Sequence, residues 1–318
     1  MKYIVTGACG FIGSYLTNRL LNNGHQVVAL DDLSSGKRKY IPQDHPNLTF
    51  LYCDISDWRV LLGNVDHFKD VQGIFSLAAI ARIQEAISNP RRCNEVNVLG
   101  TFNMLELMRN HNIPKIVFSS SSSIYGLKNN PPQKEDMKPD CLNPYSLSKL
   151  IGEKYIKIYC DLYGINGVSL RYFNVFGPRE VVDGPYGTVV GKFFKQVLGD
   201  KTPITIVGNG SQSRDFTYVE DVVDANLKAM QYSGHGEVFN VGSGYNYTVE
   251  KVANMILENL NKPGYKVYIP PRPAEAYATL ADISRAKELL GWEPKYNLEK
   301  KLLEERDYYE SFYNTKKV

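Results

Sequence analysis

The 318-residue sequence predicts an α/β protein, a doubly wound parallel sheet with a smaller α/β domain closing over it. Three observations predict it. Short β-branched runs alternate with helical periodicity through the first half of the chain. A glycine-rich turn, Thr6-Gly7-Ala8-Cys9-Gly10-Phe11-Ile12-Gly13, joins the first apolar run to the first amphipathic segment. After Arg171 the elements shorten, punctuated by Gly177-Pro178, Asp183-Gly184-Pro185, Gly208-Asn209-Gly210 and Pro270-Pro271-Arg272-Pro273.

The elements follow in order. Tyr3-Ile4-Val5 opens the sheet, and Phe11, Ile12, Tyr15, Leu16 and Leu20 recur at helical spacing until Asn22-Asn23-Gly24 stops the helix. Residues 26–30 form the second strand, ending at Asp31-Asp32, and residues 48–52 the third, ending at Cys53-Asp54-Ile55. Residues 73–77, 115–119 and 167–172 supply the fourth, fifth and sixth. One long helix spans about 92–110, with Val96, Leu99, Phe102, Leu105 and Met108 on a stripe. Another spans about 145–162, with Leu150, Ile151, Tyr155 and Ile158 facing one way. Both are apolar over more than one face, which predicts packing on the sheet and pairing with a second subunit.

Composition narrows the classes. At 43% hydrophobic and 22% charged, the chain is an ordinary globular protein, long enough for a sizeable core. A net charge of +3 argues against nucleic acid or a membrane surface as partner. Cys9, Cys53, Cys93, Cys141 and Cys160 are odd in number and form no C-x-x-C pair, which predicts reduced thiols, no metal site and a cytoplasmic location. No apolar stretch approaches the roughly 20 residues of a membrane span.

The glycine turn carries chemistry. A strand that ends on glycines and opens a helix presents backbone N–H groups to an anion. Gly7 permits the turn, Gly10 the approach of a pyrophosphate, and Gly13 close packing of helix on strand, a Rossmann-type arrangement. Asp31, 18 residues after Gly13, is placed to accept ribose hydroxyls and to repel a 2′-phosphate, favouring NAD over NADP. Tyr145 and Lys149 share one helix face, and an ammonium with a positive nicotinamide favours the phenolate of a tyrosine that otherwise ionises near pH 10. A serine from the run 119–123 completes a proton-moving site.

These pieces resemble the extended short-chain dehydrogenase/reductase superfamily, in its nucleotide-sugar epimerase/dehydratase branch. The resemblance rests on Thr6-Gly7-x-x-Gly10-x-x-Gly13, Leu77-Ala78-Ala79, Asn97-Val98-x-Gly100-Thr101, residues 118–126, Tyr145-x-x-x-Lys149, residues 170–179, residues 208–216 and Arg272-Pro273. It implies Ser121, Tyr145 and Lys149 as catalytic residues. For NAD it implies Gly7, Cys9, Gly10, Phe11, Ile12, Gly13, Asp31, Asp32, Asp54, Ile55, Leu77, Ala78, Ala79, Asn97 and Tyr172, beside Tyr145 and Lys149. For the nucleotide sugar it implies Arg82, Ser121, Ser123, Tyr145, Asn174, Arg214, Arg272, Glu275 and Thr279. Residues 1–174 with roughly 215–243 are expected to bind NAD, and roughly 175–214 with 244–318 to bind the substrate.

Ser122-Ser123-Ile124-Tyr125 holds no carboxylate where the dehydratases and decarboxylases of the branch carry one, so a UDP-sugar 4-epimerase, homodimeric as the family implies, fits better. Thr279 falls where some such enzymes have a tyrosine, and a smaller residue leaves room for an N-acetyl group. Ser76 replaces the usual His, and Ala274 the usual Gly of the Arg-Pro-Gly motif. An epimerase or reductase of another nucleotide sugar and a non-catalytic NAD-binding scaffold are the alternatives.

Overall fold

A computed structural model describes residues 1–180, 182, 188–270 and 277–314. Among the described residues thirteen strands run in chain order: β1 Lys2–Thr6, β2 Gln26–Asp31, β3 Leu48–Tyr52, β4 Gly73–Ser76, β5 Lys115–Ser121, β6 Asn166–Tyr172, β7 Val175–Phe176, β8 Ile204–Val207, β9 Ser213–Asp215, β10 Thr217–Tyr218, β11 Glu237–Val241, β12 Asn246–Thr248 and β13 Lys266–Ile269. Seven of them form one parallel sheet in the order β11-β6-β5-β4-β1-β2-β3. The chain winds outward from β1 to β3, then from β4 to β11 on the other side. That reversal opens a crevice at the carboxyl ends of β1 and β4.

Both faces of this sheet are covered, so its strands read as continuous apolar runs rather than alternating ones. Side chains still alternate. Val5, Val27, Ala29, Phe75 and Val117 pack with Leu16, Leu20, Val222 and Ala225. Their neighbours Ile4, Val28, Ile74 and Ile116 pack with Met104, Leu105, Met108 and Ile156 on the opposite side. A separate core of Phe176, Phe193, Phe194, Ile206, Phe216, Val252, Ile256 and Tyr309 holds the short two-stranded sheets β7-β10 and β8-β13 together with their helices.

Two helical stripes differ from expectation. The helical run over residues 90–111 contains a π-turn at Glu95–Leu99, which advances the phase of everything after it. Val96, Leu105 and Met108 are buried, whereas Leu99 is 45% exposed and Phe102 lies half-buried. On the helix Pro144–Tyr163 the sheet-facing side is Ser146, Lys149, Gly152, Glu153, Ile156 and Cys160, and Ile158 points outward at 48% exposure. Polar groups take the inner face because they have partners there. Glu153 pairs with Arg171 at 2.8 Å, both side chains 4% exposed, and accepts from the Ser120 hydroxyl at 2.5 Å.

Candidate active site

The crevice is a cleft of about 660 Å³ between the ends of the central sheet and the second core. Its floor is the glycine turn. Gly7 has φ +65°, and a Cβ there would lie 2.9 Å from the Ala78 nitrogen; a Cβ on Gly13 would lie 2.0 Å from the Gly7 carbonyl oxygen. Only glycines close this turn. Gly10 caps the helix Phe11–Asn22, so the backbone of Gly10, Phe11, Ile12 and Gly13 lines the cleft at a helix N-terminus. The Thr6 hydroxyl accepts from the Leu77 and Ala78 N–H groups, each at 3.0 Å, and fastens the opposing loop.

Asp31 ends β2 and is 6% exposed; its carboxylate accepts from the N–H groups of Cys9 and Leu33, each at 2.8 Å. Burial pushes its carboxyl up, and those two donors work against it. Each oxygen keeps a free acceptor position for a sugar hydroxyl. Beside it, Asp54 holds Arg92 at 2.7 Å, with Asp32 at 3.5 Å from the same guanidinium. Burial alone raises the Asp54 carboxyl, but the Ser56 donors and Arg92 outweigh it and hold it low.

The reacting end is built by β5 and the helix Pro144–Tyr163. Asn143 and Ser146 form a capping box, with Pro144 in the first turn, so the helix starts one residue before Tyr145. Lys149, one turn on, is 3% exposed and donates to the Ser119 carbonyl at 2.7 Å. Its ammonium lies 4.9 Å from the Phe118 ring centre and 5.9 Å from that of Tyr145. Ser121 ends β5, and its hydroxyl accepts from the Ser123 N–H at 3.2 Å. The Ser123 hydroxyl is buried and has no hydrogen-bond partner among the described residues.

Electrostatics here run opposite to the expectation for an activated tyrosine. Burial pushes the Tyr145 phenol up, and the hydrogen bond with Ser121 is the group that opposes it. Burial also pulls Lys149 down to about 8. Lys149 gives one of its three N–H donors to the Ser119 carbonyl and keeps two, with its charge 5.9 Å from the Tyr145 ring centre.

Most sequence-assigned residues meet in this one cleft. Gly7, Gly10, Phe11, Ile12, Gly13, Asp31, Asp32, Asp54, Ile55, Leu77, Ala78, Ala79, Tyr145, Lys149 and Tyr172 line it, as do Arg82, Ser121, Ser123, Asn174, Arg214 and Thr279. Two do not. Cys9 is fully buried and contributes its backbone N–H to Asp31. Asn97, 2% exposed and in the π-turn, binds the Ile80 N–H and carbonyl at 2.8 and 3.1 Å and the Ser148 hydroxyl at 3.0 Å, so it shapes the loop. Arg272 and Glu275 lie outside the described residues. Asn174, at φ +22°, donates to the Asp215 carbonyl at 2.9 Å and to the Thr279 hydroxyl at 3.2 Å. The Arg214 guanidinium reaches the Ser213 carbonyl at 2.9 Å.

Wall residues with no sequence signal are Ser34, Ser35, Gln84, Glu85, Lys192 and Phe193. They fall on loops and short helices without a motif. Only the fold brings them to the cleft.

The fold and this Ser-Tyr-Lys cleft define a dinucleotide-binding enzyme of the extended short-chain dehydrogenase/reductase kind. Residues 3–242 match the NAD dependent epimerase/dehydratase family, and the chain belongs to that family. It is 40% identical over 296 residues to a putative UDP-glucose 4-epimerase of Methanocaldococcus jannaschii, covering 93% of this chain and 94% of that one. It superposes on the UDP-glucose 4-epimerase of Thermotoga maritima with UDP-glucose at a TM-score of 0.91, 34% identity and 99% coverage of each. A UDP-N-acetylglucosamine 4-epimerase from Methanobrevibacter ruminantium, in complex with UDP-N-acetylmuramic acid, gives 0.91, 34% and 98% of each. NAD is the cofactor of the family, and the glycine cradle and Asp31 fit it.

Proposed function

We propose that this chain is a UDP-sugar 4-epimerase, acting on UDP-glucose/UDP-galactose, on the N-acetylated pair, or on both. The observation that carries this is the meeting of Ser121, Tyr145 and Lys149 at the glycine-turn cleft, with no carboxylate in the segment 122–125. The named activities of the relatives support it.

NAD, when bound, supplies reversible acceptance of hydride from C4. Tyr145 takes the C4 hydroxyl proton, and Ser121 bonds the same oxygen and relays the proton. Lys149 holds the nicotinamide ribose and adds positive charge near the phenolate. Turnover of a 4-keto sugar in the cleft and return of the proton from Tyr145 give the epimer, with no net redox change. Arg214 and Arg272 clamp the diphosphate, and Asn174 bonds the diphosphate or the sugar. Thr279, a small residue whose hydroxyl already accepts from Asn174, leaves room beside the sugar.

Residues 1–174 with 215–243 form the cofactor domain in this reading, supported by the place of β11 in the central sheet. The half-exposed apolar side chains Leu99, Leu147, Ile158 and Tyr163 support a homodimer through the two long helices. Among the described residues no helix is long and apolar enough to cross a membrane. A cytoplasmic location is supported by the five free cysteines. Tyr145→Phe tests the chemistry: turnover should fall about 10²- to 10⁴-fold with NAD content unchanged. Full activity in that variant excludes Tyr145 as the base.

A further inference from the structure

Behind the cleft, the Glu180 carboxyl joins three segments of the chain. It is 5% exposed and does not line the cleft itself. One oxygen accepts from the Tyr309 hydroxyl and the other from the Thr188 hydroxyl. The Gly191 N–H bonds it as well, and a Cβ on Gly191 would lie 2.7 Å from Glu180 Oε1. Thr188 precedes the helix Val189–Phe194, yet its own side chain does not cap that helix. The carboxyl of Glu180 takes the cap's place, satisfying an N-terminal N–H that would otherwise be orphaned. Tyr309, from the helix Arg306–Asn314, stacks on Phe194 at 4.2 Å and 9°, so the same bonds clamp that helix from behind.

The clamped helix is a wall of the site. Thr188, Val189, Val190, Lys192 and Phe193 all line the cleft. Gln212, Arg214 and Phe216 line the same cleft, and Phe193 and Phe216 belong to the second core.

We propose that Glu180 is a positioning residue for the nucleotide sugar: by fixing the helix Val189–Phe194 it sets substrate affinity without touching substrate, NAD or the reacting atoms. This rests on the 4-epimerase reading. Burial pushes Glu180 up to about 7, and the Thr188 and Tyr309 donors oppose it.

The test uses the NAD-loaded protein and its Glu180→Ala, Glu180→Gln and Tyr309→Phe variants, with KM, kcat and bound NAD measured for each. Glu180→Ala should raise KM about tenfold with kcat within about twofold and NAD content unchanged. Glu180→Gln keeps an acceptor and should restore most of the affinity. Tyr309→Phe keeps the ring stack, loses one donor, and should raise KM about two- to threefold. An unchanged KM in Glu180→Ala, or equal losses in kcat and NAD content, overturns the proposal. Should Glu180→Ala fail to fold, an unchanged KM in Tyr309→Phe overturns it equally. A wild-type protein inactive on both UDP-glucose and UDP-N-acetylglucosamine counts against the 4-epimerase reading instead; calorimetric affinity for UDP across the same variants then decides the role of Glu180.

Discussion

Lys149 is the residue whose burial and chemistry conflict most. Its ammonium is pulled from 10.5 to about 8, a gap worth about 3 kcal/mol against the charged form. The folded state therefore sheds this proton before the unfolded state does. Stability climbs as pH rises from about 8 towards 10.5, and below about 8 the penalty stands in full. Lys149→Met should raise stability at pH 7 by roughly 1–3 kcal/mol in urea unfolding while turnover collapses. A variant less stable than wild type at pH 7 would mean that the Ser119 and Phe118 contacts outweigh the desolvation. At this scale the sequence was legible wherever a motif sits on one strand end or one helix face, as with Asp31, Ser121, Tyr145 and Lys149. Cys9 and Asn97 stand behind the lining, because a motif position does not tell a wall residue from one whose groups bond the chain itself. Burial raises the Tyr145 phenol in the chain by itself, where Lys149 donates to the Ser119 carbonyl; the expected lowering also draws on the positive nicotinamide.

Elements here are set by close approach as much as by propensity. The helix Phe11–Asn22 seats on the glycine turn only because Gly13 has no side chain: its Cβ would meet the Gly7 carbonyl at 2.0 Å. Gly13→Ala should cost about 1–3 kcal/mol or more and release NAD, seen as lost cofactor absorbance after gel filtration. A variant that retains NAD would show that the turn shifts without harm. Strand positions were readable within two residues, since a sheet covered on both faces leaves continuous apolar runs. Helix faces were not. The π-turn at Glu95–Leu99 changes phase without any signal in composition, and on Pro144–Tyr163 buried Lys149 and Glu153 occupy the face a hydrophobic stripe would have claimed.

At the scale of the molecule, winding reverses between β1 and β4, and the reversal puts the glycine turn, the serines of β5 and the second core around one cleft. The change of pattern after Arg171 predicts the second, smaller unit, whereas β11 itself was not predicted as a strand. The short sheets β7-β10, β9-β12 and β8-β13 were not legible either, because strands of two to four residues carry no period of their own. The apolar outer faces of the long helices lead to a second test. Ile158→Glu should move the protein from dimer to monomer in sedimentation equilibrium with its fold intact; wild type that is monomeric throughout rules out the dimer. The central claim is tested most directly by incubating the protein with UDP-glucose or UDP-N-acetylglucosamine, without added cofactor, and following C4 inversion by proton NMR. The expected result is galacto product from at least one sugar with no accumulation of reduced cofactor. No inversion of either, even with NAD supplied, would contradict the account.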